Sequence, residues 1–316
     1  MSESIATRAA YGETLVELGK TNPDLVVLDA DLSGATMTKG FAKAYPERFF
    51  NMGIAECNMM GVAAGLATAG KKPFATTFAM FAAGRAYEQV RNSIAYPHLS
   101  VKVVGSHGGL SVGEDGATHQ CIEDLSLMRT IPGMLVCCPC DGAEMRLATA
   151  ALLDYDGPAY LRLGRMAVDT VTDSVPGYRF ELGKGATLRS GSDATVIACG
   201  LMVQEALKAA ETLAGEGLSV RVIDMHTIKP LDGDLVLKAA RETGCIVTSE
   251  EHNIVGGLGA AVCEYLSGAF PVPVVRHGVN DEFGRSGSAK KVLAAYGLTA
   301  DVLCGKVRQA IALKKG

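Results

Sequence analysis

Short apolar runs alternate with longer amphipathic segments along most of the 316 residues. Apolar runs of about four to eight residues are typical of buried strands, whereas longer segments with a period near 3.6 residues favour helices. Their alternation predicts parallel sheets in which crossover helices join successive strands. We therefore expect an α/β protein with doubly wound, mostly parallel sheets.

The first half of the chain shows this alternation most clearly. Predicted strands lie at 25–28, 74–77, 101–104, 135–138 and 159–163. Predicted helices lie at 4–20, 55–70, 82–96, 120–130 and 141–153. Asp141 stands at the start of the last helix, where an aspartate side chain can accept hydrogen bonds from the first backbone N–H groups. This half therefore predicts one doubly wound domain at 1–167.

The alternation weakens over a polar, turn-rich stretch that we interpret as a linker at 168–184. A second α/β set then predicts a domain at 185–316. Its predicted strands lie at 195–199, 220–223, 245–249 and 272–275. Its predicted helices lie at 202–215, 231–242, 258–267, 288–296 and 300–313. The two halves share a fold class but no convincing sequence repeat.

Composition and charge exclude several classes of partner. Hydrophobic residues make up 48% of the chain and charged residues 20%, which is typical of a globular protein. The formal net charge is -4 and no basic run stands out, so we expect neither a nucleic acid nor an anionic membrane as partner. The first residues lack the basic and apolar regions of a secretion signal, which predicts a cytoplasmic protein.

The nine cysteines lie mostly inside apolar runs, which predicts free, buried thiols in a reducing compartment. Cys137, Cys138 and Cys140 are close enough in sequence to suggest a metal site. However, this run lacks the two-residue gaps of a zinc knuckle, and no second Cys or His pair completes a tetrahedron. We therefore expect these cysteines to be structural, and no metal site on this chain.

The most informative segment is the glycine-rich stretch from His107 to Gln120, which follows an apolar run and carries His107, His119, Glu114 and Asp115. In α/β domains, ligands bind where the strands end, and glycines there allow backbone to approach a substrate closely. A surface loop of ordinary turn-forming residues is the alternative interpretation. From the residues alone, the segment predicts no more than a polar ligand site.

The sequence Gly-Glu-Asp-Gly-x-Thr-His-Gln in this segment resembles the signature of the transketolases, which lies in the pyrimidine-binding half of these thiamine diphosphate enzymes. Further segments similar to that family occur in the same order: Ala-Thr-Arg at 6–8, Ala-Asp-Leu at 30–32, Gly-Ile-Ala-Glu at 53–56, Pro-Phe-Ala-Thr-Thr-Phe-x-x-Phe at 73–81 and Arg-Leu-Gly-Arg at 162–165. The resemblance implies a thiamine diphosphate pyrimidine-binding fold followed by a transketolase C-terminal domain.

For the cofactor, the resemblance implies that Glu56 acts on N1′ of the pyrimidine ring and that Phe78 and Phe81 stack on that ring. Asp31 would lie near the cofactor end. The third aromatic of single-chain transketolases falls at Gly84, which leaves part of the pocket wall unassigned. Without the resemblance, Glu56 would be a first-turn helical acid and the phenylalanines ordinary core residues.

For the substrate, the resemblance assigns His107 and His119 to hydroxyls and carbonyl near the reacting carbon, and Asp115 to a sugar hydroxyl. Arg8 and Arg165 match arginines that hold a terminal phosphate, for which the guanidinium fork is suited. The family's phosphate-contacting serine falls at Ala35, a departure from the pattern.

No Gly-Asp-Gly triplet occurs in the chain, although the family holds the diphosphate through Mg²⁺ on such a segment. The resemblance is therefore to the C-terminal subunit of a split transketolase. It implies a separate N-terminal subunit that carries the Gly-Asp-Gly motif and most of the thiamine diphosphate and Mg²⁺ contacts, an α2β2 heterotetramer, and sugar phosphate substrates. The activity would be transfer of a two-carbon ketol unit from a ketose to an aldose.

Other functions share parts of this pattern. The β subunit of a 2-oxoacid dehydrogenase has the same two-domain layout but usually lacks the Gly-Glu-Asp-Gly-x-Thr-His-Gln segment. Deoxyxylulose-phosphate synthase shares Asp-Gly-x-Thr-His and Gly-Ile-Ala-Glu but carries all its domains on one chain. An inactive scaffold paralogue is the non-enzymatic alternative, against which the joint retention of Glu56, His107, Asp115 and His119 argues.

Overall fold

The computed structural model describes residues 4–315. The strands are β1 Ser4–Ala6, β2 Leu25–Asp29, β3 Phe49–Asn51, β4 Lys72–Phe78, β5 Lys102–Ser106, β6 Leu135–Cys137, β7 Ala159–Arg162, β8 Ala167–Asp169, β9 Ala186–Arg189, β10 Ala194–Ala198, β11 Val220–Asp224, β12 Thr227–Lys229, β13 Ile246–Asn253 and β14 Val274–Val279. The helices are α1 Thr7–Gly19, α2 Ser33–Thr36, α3 Lys39–Ala44, α4 Glu56–Thr68, α5 Tyr87–Gln89, α6 Asp124–Thr130, α7 Gly142–Asp154, α8 Met202–Ala214, α9 Gly233–Thr243, α10 Leu258–Ala269, α11 Ala289–Ala295 and α12 Ala300–Lys315.

The first half folds around a seven-stranded sheet in the order β12-β6-β7-β5-β4-β2-β3. All its pairings are parallel except the antiparallel edge pair of β12 with β6. Strand β2 is buried at every position because helices cover both faces of the sheet, which is why it reads as a continuous apolar run. One face packs against α1 and α7, where Tyr11, Phe74 and Met145 share a core.

The second half folds around a five-stranded sheet in the order β14-β13-β10-β11-β9, with β9 antiparallel at one edge. Helices α8 and α12 supply Val203 and Val307 to the core on one face. On the other face, Ile246 and Leu258 belong to a core that also contains Val26 and Met59 of the first half. The predicted α/β class with mostly parallel sheets is confirmed, and the two halves pack against each other through a continuous apolar core.

The short strands depart from the sequence prediction, which contains none of β1, β3, β8, β9 and β12. Residues 4–6, predicted as helix, form β1, which pairs antiparallel with β8. Strand β12 lies in the connection between a predicted strand at 220–223 and a predicted helix at 231–242, and it joins the first sheet through Thr227 and Cys137. Three-residue strands carry no period of their own, so only pairing with a partner elsewhere in the chain creates them.

The predicted helix at 82–96 is helical but irregular. The segments Phe81–Arg85 and Val90–Ala95 are π-helical and flank α5. Such widened turns occur often at functional sites. The predicted helix at 120–130 begins only at Asp124, because the residues before it complete the glycine-rich loop.

Several local predictions agree with the structure. The Asp141 side chain caps α7 by accepting a hydrogen bond from the Glu144 backbone N–H at 2.8 Å. Cys137, Cys138 and Cys140 are buried free thiols, as expected. Between residues 4 and 315, no helix combines the length and the apolar character that crossing a bilayer requires.

Candidate active site

The glycine-rich loop follows β5 and owes its shape to its glycines. Gly113 and Gly116 have φ values of 79° and 76°, which side chains rarely adopt. A Cβ on Gly116 would lie 2.4 Å from Ser286 Oγ, so a segment of the second half packs directly against this loop. The buried Gln120 amide donates to Gly113 O at 3.2 Å and to Arg285 O at 3.0 Å, which fixes the two segments together.

Four aromatic rings line the space beside this loop. Phe78, at the end of β4, lies 5.8 Å from Phe81 with an angle of 21° between their planes. The His107 ring lies 4.1 Å from Phe78, and His119 meets Phe81 edge-on at 5.5 Å. The structure thus brings together four residues that are separate in sequence. A flat heteroaromatic ring fits such a wall because offset stacking is favourable.

The contacts of His107 define its protonation. Arg8 Nη1 lies 3.3 Å from Nε2, and a guanidinium can only donate, so Nε2 accepts and the proton sits on Nδ1, which donates to Ser106 Oγ at 2.8 Å. Burial first, and the charges of Arg8 and Arg165 next, lower the pKa of His107 to about 3. His107 is therefore neutral at physiological pH, and its φ of 59° shows that the chain turns sharply there.

Glu56 is the first residue of α4 and only 2% exposed. Its Oε2 forms an ion pair with Arg85 Nη1 at 3.3 Å, while the Arg85 side chain is 55% exposed. The same guanidinium lies 5.4 Å from the centre of the Phe81 ring, which places Glu56 close to the aromatic wall. Sequence analysis missed Arg85, because its proximity to Glu56 depends on how the π-helical segment Phe81–Arg85 packs.

The two predicted arginines converge on the same loop. Arg8 Nη1 donates to Ala35 O at 2.7 Å. The backbone of Ala35, the position that departs from the family's serine, therefore orients this arginine. Arg165 Nη1 contacts Val112 O and lies 2.8 Å from Glu114 Oε2. Burial and the nearby Arg165 both lower the pKa of Arg8. Two close guanidinium groups create a positive potential that favours an anion.

The remaining predicted residues lie at the borders of this region. Asp115 is exposed on the glycine-rich loop. Asp31 follows β2 with a φ of 64°, and its Oδ1 accepts a hydrogen bond from Asn51 at 3.0 Å. A Cβ on Gly84 would lie 2.3 Å from Met80 Cε, so the methionine occupies the space beside the position where single-chain relatives have an aromatic residue.

Family comparisons agree with this geometry. The family described as transketolase, pyrimidine binding domain, matches residues 3–170, and the transketolase C-terminal domain matches residues 183–303. The chain belongs to the transketolase family. Members of this family are thiamine-dependent transferases and generally use thiamine diphosphate and Mg²⁺.

Similar proteins include chains that this chain covers along nearly their whole length. A protein of Methanocaldococcus jannaschii, whose name describes a transketolase C-terminal section, is 48% identical over 96% of this chain and 95% of its own length. A 6-deoxy-6-sulfo-D-fructose transketolase subunit from a Clostridium species is 45% identical over 93% of this chain and 90% of its own. A solved structure described as a split gene transketolase, inactive β4 tetramer, has a TM-score of 0.91 at 54% identity and covers 98% of this chain and 99% of that one.

The site residues of this transketolase-family chain fit one half of the cofactor. A buried carboxylate next to an aromatic wall suits an aminopyrimidine, which presents a ring nitrogen at its edge and flat faces on either side. Among residues 4–315, the one group of acidic, His or Cys side chains close enough to hold a metal is Cys140, Glu144 and Asp224, which are not part of this wall. The donor set around the wall therefore matches the pyrimidine rather than a magnesium diphosphate.

Proposed function

We propose that this chain is the C-terminal subunit of a split transketolase that transfers a two-carbon ketol unit from a ketose to an aldose. The observation that carries the proposal is the buried Glu56 carboxylate beside the paired rings of Phe78 and Phe81. Relatives named as transketolase sections or subunits, each matched along nearly their whole length, support it.

Glu56 would hold the proton at N1′ of the pyrimidine. When bound, thiamine diphosphate would supply a nucleophilic carbon on its thiazolium ring. A carboxylate with about hydrogen-bond reach to N1′ can donate and recover a proton there, which is general acid–base catalysis. Arg85 currently occupies one oxygen of Glu56, and its exposed side chain has room to turn away when a ring enters.

The substrate would lie between the aromatic wall and the glycine-rich loop. His119 is half-buried, and its Nδ1 is within 2.9 Å of Thr118 Oγ1, which leaves Nε2 for a substrate hydroxyl or carbonyl. Neutral His107 would contact a hydroxyl only after Arg8 moves from its Nε2. Exposed Asp115 would accept a hydrogen bond from a sugar hydroxyl.

Arg8 and Arg165 would bind the terminal anion of the substrate. Guanidinium groups form strong, charge-assisted hydrogen bonds with the oxygens of a phosphate. A sulfonate carries the same three-oxygen face with less charge, and the relative named for 6-deoxy-6-sulfo-D-fructose makes it a second candidate for this end. We propose a sugar phosphate first, because two arginines match the larger charge of a phosphate.

Assembly with a second polypeptide completes this proposal. That subunit would carry a Gly-Asp-Gly segment and hold the diphosphate and Mg²⁺, in an α2β2 heterotetramer. The sequence of this chain contains no such triplet. A split transketolase whose β chains assemble alone is described as an inactive tetramer, which supports a requirement for the partner.

Calorimetry tests the proposal. Thiamine diphosphate and Mg²⁺ are titrated into this chain alone and into its mixture with a Gly-Asp-Gly partner chain. We expect tight binding and turnover of a ketose with an aldose phosphate only in the mixture. Tight binding by the isolated chain contradicts the split arrangement. Turnover of a 2-oxoacid instead of a ketose would favour the related dehydrogenase or deoxyxylulose-phosphate synthase activities.

A further inference from the structure

Three carboxylates meet where the two halves of the molecule join. Asp141 and Glu144 lie at the start of α7, and Asp224 ends β11. All three residues are completely buried, with 0% exposure. Buried carboxylates of this density require either hydrogen-bond donors or positive charge, because removing an anion from water is costly.

Two of these carboxylates have donors. Asp141 accepts hydrogen bonds from the backbone N–H groups of Glu144, Val171 and Thr172, each at 2.8 Å. Glu144 accepts from the Cys140 backbone N–H at 2.6 Å and from the Tyr178 hydroxyl. These contacts account for Asp141 as a helix cap and hold Glu144 in one orientation.

Asp224 is different. Neither Oδ1 nor Oδ2 of Asp224 has a hydrogen-bond partner in the described part of the chain. No lysine or arginine of residues 4–315 forms an ion pair with Asp141, Glu144 or Asp224. One proton shared with Glu144 would satisfy one oxygen of Asp224, and the other would have only the weak S–H donor of Cys140. A divalent cation can bind either oxygen or both, and it also offsets the charge of Glu144.

A sulfur ligand is present at the same place. Cys140 Sγ, a Glu144 carboxylate oxygen and an Asp224 carboxylate oxygen all lie within 4.8 Å of one another. Thiolate and carboxylate donors together suit Zn²⁺ or Co²⁺ better than Mg²⁺, which prefers oxygen alone. The Tyr178 hydroxyl contacts Glu144, and a water would complete the four ligands that zinc prefers.

We propose that Cys140, Glu144 and Asp224 form a structural site for a divalent transition metal, zinc first, that joins the two halves of the chain. On binding, the Cys140 thiol loses its proton to solvent and its sulfur donates an electron pair to the metal. Because the group is closed to solvent, the metal enters as the two halves come together during folding. The proposal is independent of the activity proposed above.

Metal analysis of the purified full-length chain tests the site. The chain is expressed in medium containing zinc and purified without chelator, and its zinc content is measured by plasma mass spectrometry. We expect about one zinc per chain, falling at least about tenfold in Cys140→Ser and in Asp224→Asn. Cys304→Ser is the matched control, because Cys304 is another buried free thiol, on α12, and should leave the zinc content unchanged.

Two measurements keep the test independent of whether the variants fold. Protein grown with cobalt should show a sulfur-to-cobalt charge-transfer band, and the zinc X-ray absorption spectrum should show one sulfur together with oxygen ligands. A zinc content below about a tenth per chain in the native protein overturns the proposal and leaves Glu144 and Asp224 as a proton-sharing pair. A zinc site with no sulfur ligand overturns it as well.

Discussion

Glu56 and Glu144 are both buried glutamates in the first turn of a helix that packs on the seven-stranded sheet. The helix dipole favours a negative charge at both positions. Their surroundings differ. Glu144 accepts two hydrogen bonds from groups that are themselves held in place, whereas the partner of Glu56 is the half-exposed Arg85.

This difference separates a glutamate that a cofactor or substrate can reach from solvent, Glu56, from one that is closed to such molecules once the chain has folded, Glu144. The Arg85 side chain can exchange its contact with Glu56 for water, so an incoming ring nitrogen can take its place at low cost. Displacing the Cys140 N–H or the Tyr178 hydroxyl from Glu144 would leave a buried donor unpaired. Burial alone therefore does not identify a functional acid. The exposure of its partners does.

The largest expected effect is on catalysis by the assembled enzyme. Glu56→Gln should lower kcat by at least about a hundredfold, because the amide still hydrogen-bonds N1′ but cannot transfer a proton. Proton exchange at the reactive carbon of bound thiamine diphosphate reports this step directly. The urea midpoint should stay near that of the native chain, and an unchanged exchange rate would remove Glu56 from the mechanism.

The second-largest effect is expected for Arg165 and Arg8, which would bind the terminal anion of the substrate. Arg165→Ala removes one charge-assisted contact, which is worth about 1.5 to 3 kcal/mol, so kcat/KM for a phosphorylated aldose should fall roughly ten- to a hundredfold. An unphosphorylated analogue of the same sugar is the control and should change little. Arg8→Ala should act in the same direction. Equal losses on both sugars would mean that these arginines support the fold instead.

Glu144→Gln should affect stability rather than substrate affinity. The carboxylate now accepts hydrogen bonds from the Cys140 N–H and the Tyr178 hydroxyl, and the amide nitrogen of glutamine must face one of these donors. We therefore expect a loss of about 1 to 3 kcal/mol in the free energy of unfolding. Urea unfolding of the two glutamine variants side by side measures the contrast. If Glu56→Gln destabilises the chain as much as Glu144→Gln does, the two sites are equally closed and the comparison fails.

Acid should lower the free energy of unfolding through His107. Its pKa is about 3 in the folded chain against 6.5 for the ordinary group, so the unfolded chain binds a proton that the folded chain rejects. Stability from this residue is therefore complete above about pH 6.5 and falls as the pH drops toward 3. Between pH 8 and pH 5 the native chain should lose about 2 kcal/mol more than His107→Gln. Equal losses in the two proteins would show that His107 is solvated.

The smallest expected effect belongs to Arg85. Its ion pair with Glu56 is half exposed, and such pairs contribute about 0 to 1 kcal/mol, so Arg85→Ala should hardly move the urea midpoint. The same change should alter cofactor affinity in the assembled enzyme, because it removes the group that competes for Glu56. A large loss of stability would show that Arg85, like the donors around Glu144, cannot leave its carboxylate without a large cost in free energy.

Much of the fold could be predicted from local pattern. Strand β2 and its neighbours read as apolar runs because both faces of the sheet are covered, and Asp141 was identifiable as a cap because aspartate favours that position. The loop from His107 to Gln120 could be located from its motif, and the roles taken from the resemblance for Glu56, Phe78 and Phe81 remain predictions although the structure places them together. Each of these features is specified by residues that lie within a few positions of it in the sequence.

Other features were decided only by tertiary structure. Strands β1 and β12 form because they pair with β8 and β6, which are distant from them in sequence. The contact of Arg85 with Glu56, and the placing of Asp224 beside Cys140, depend on which helices and strands pack against each other. The sequence analysis considered Cys140 as a metal ligand and rejected it, because Glu144 and Asp224 become its neighbours only in the folded chain. Local sequence sets which positions are buried, but burial does not specify neighbours, and the chemistry of a site depends on its neighbours.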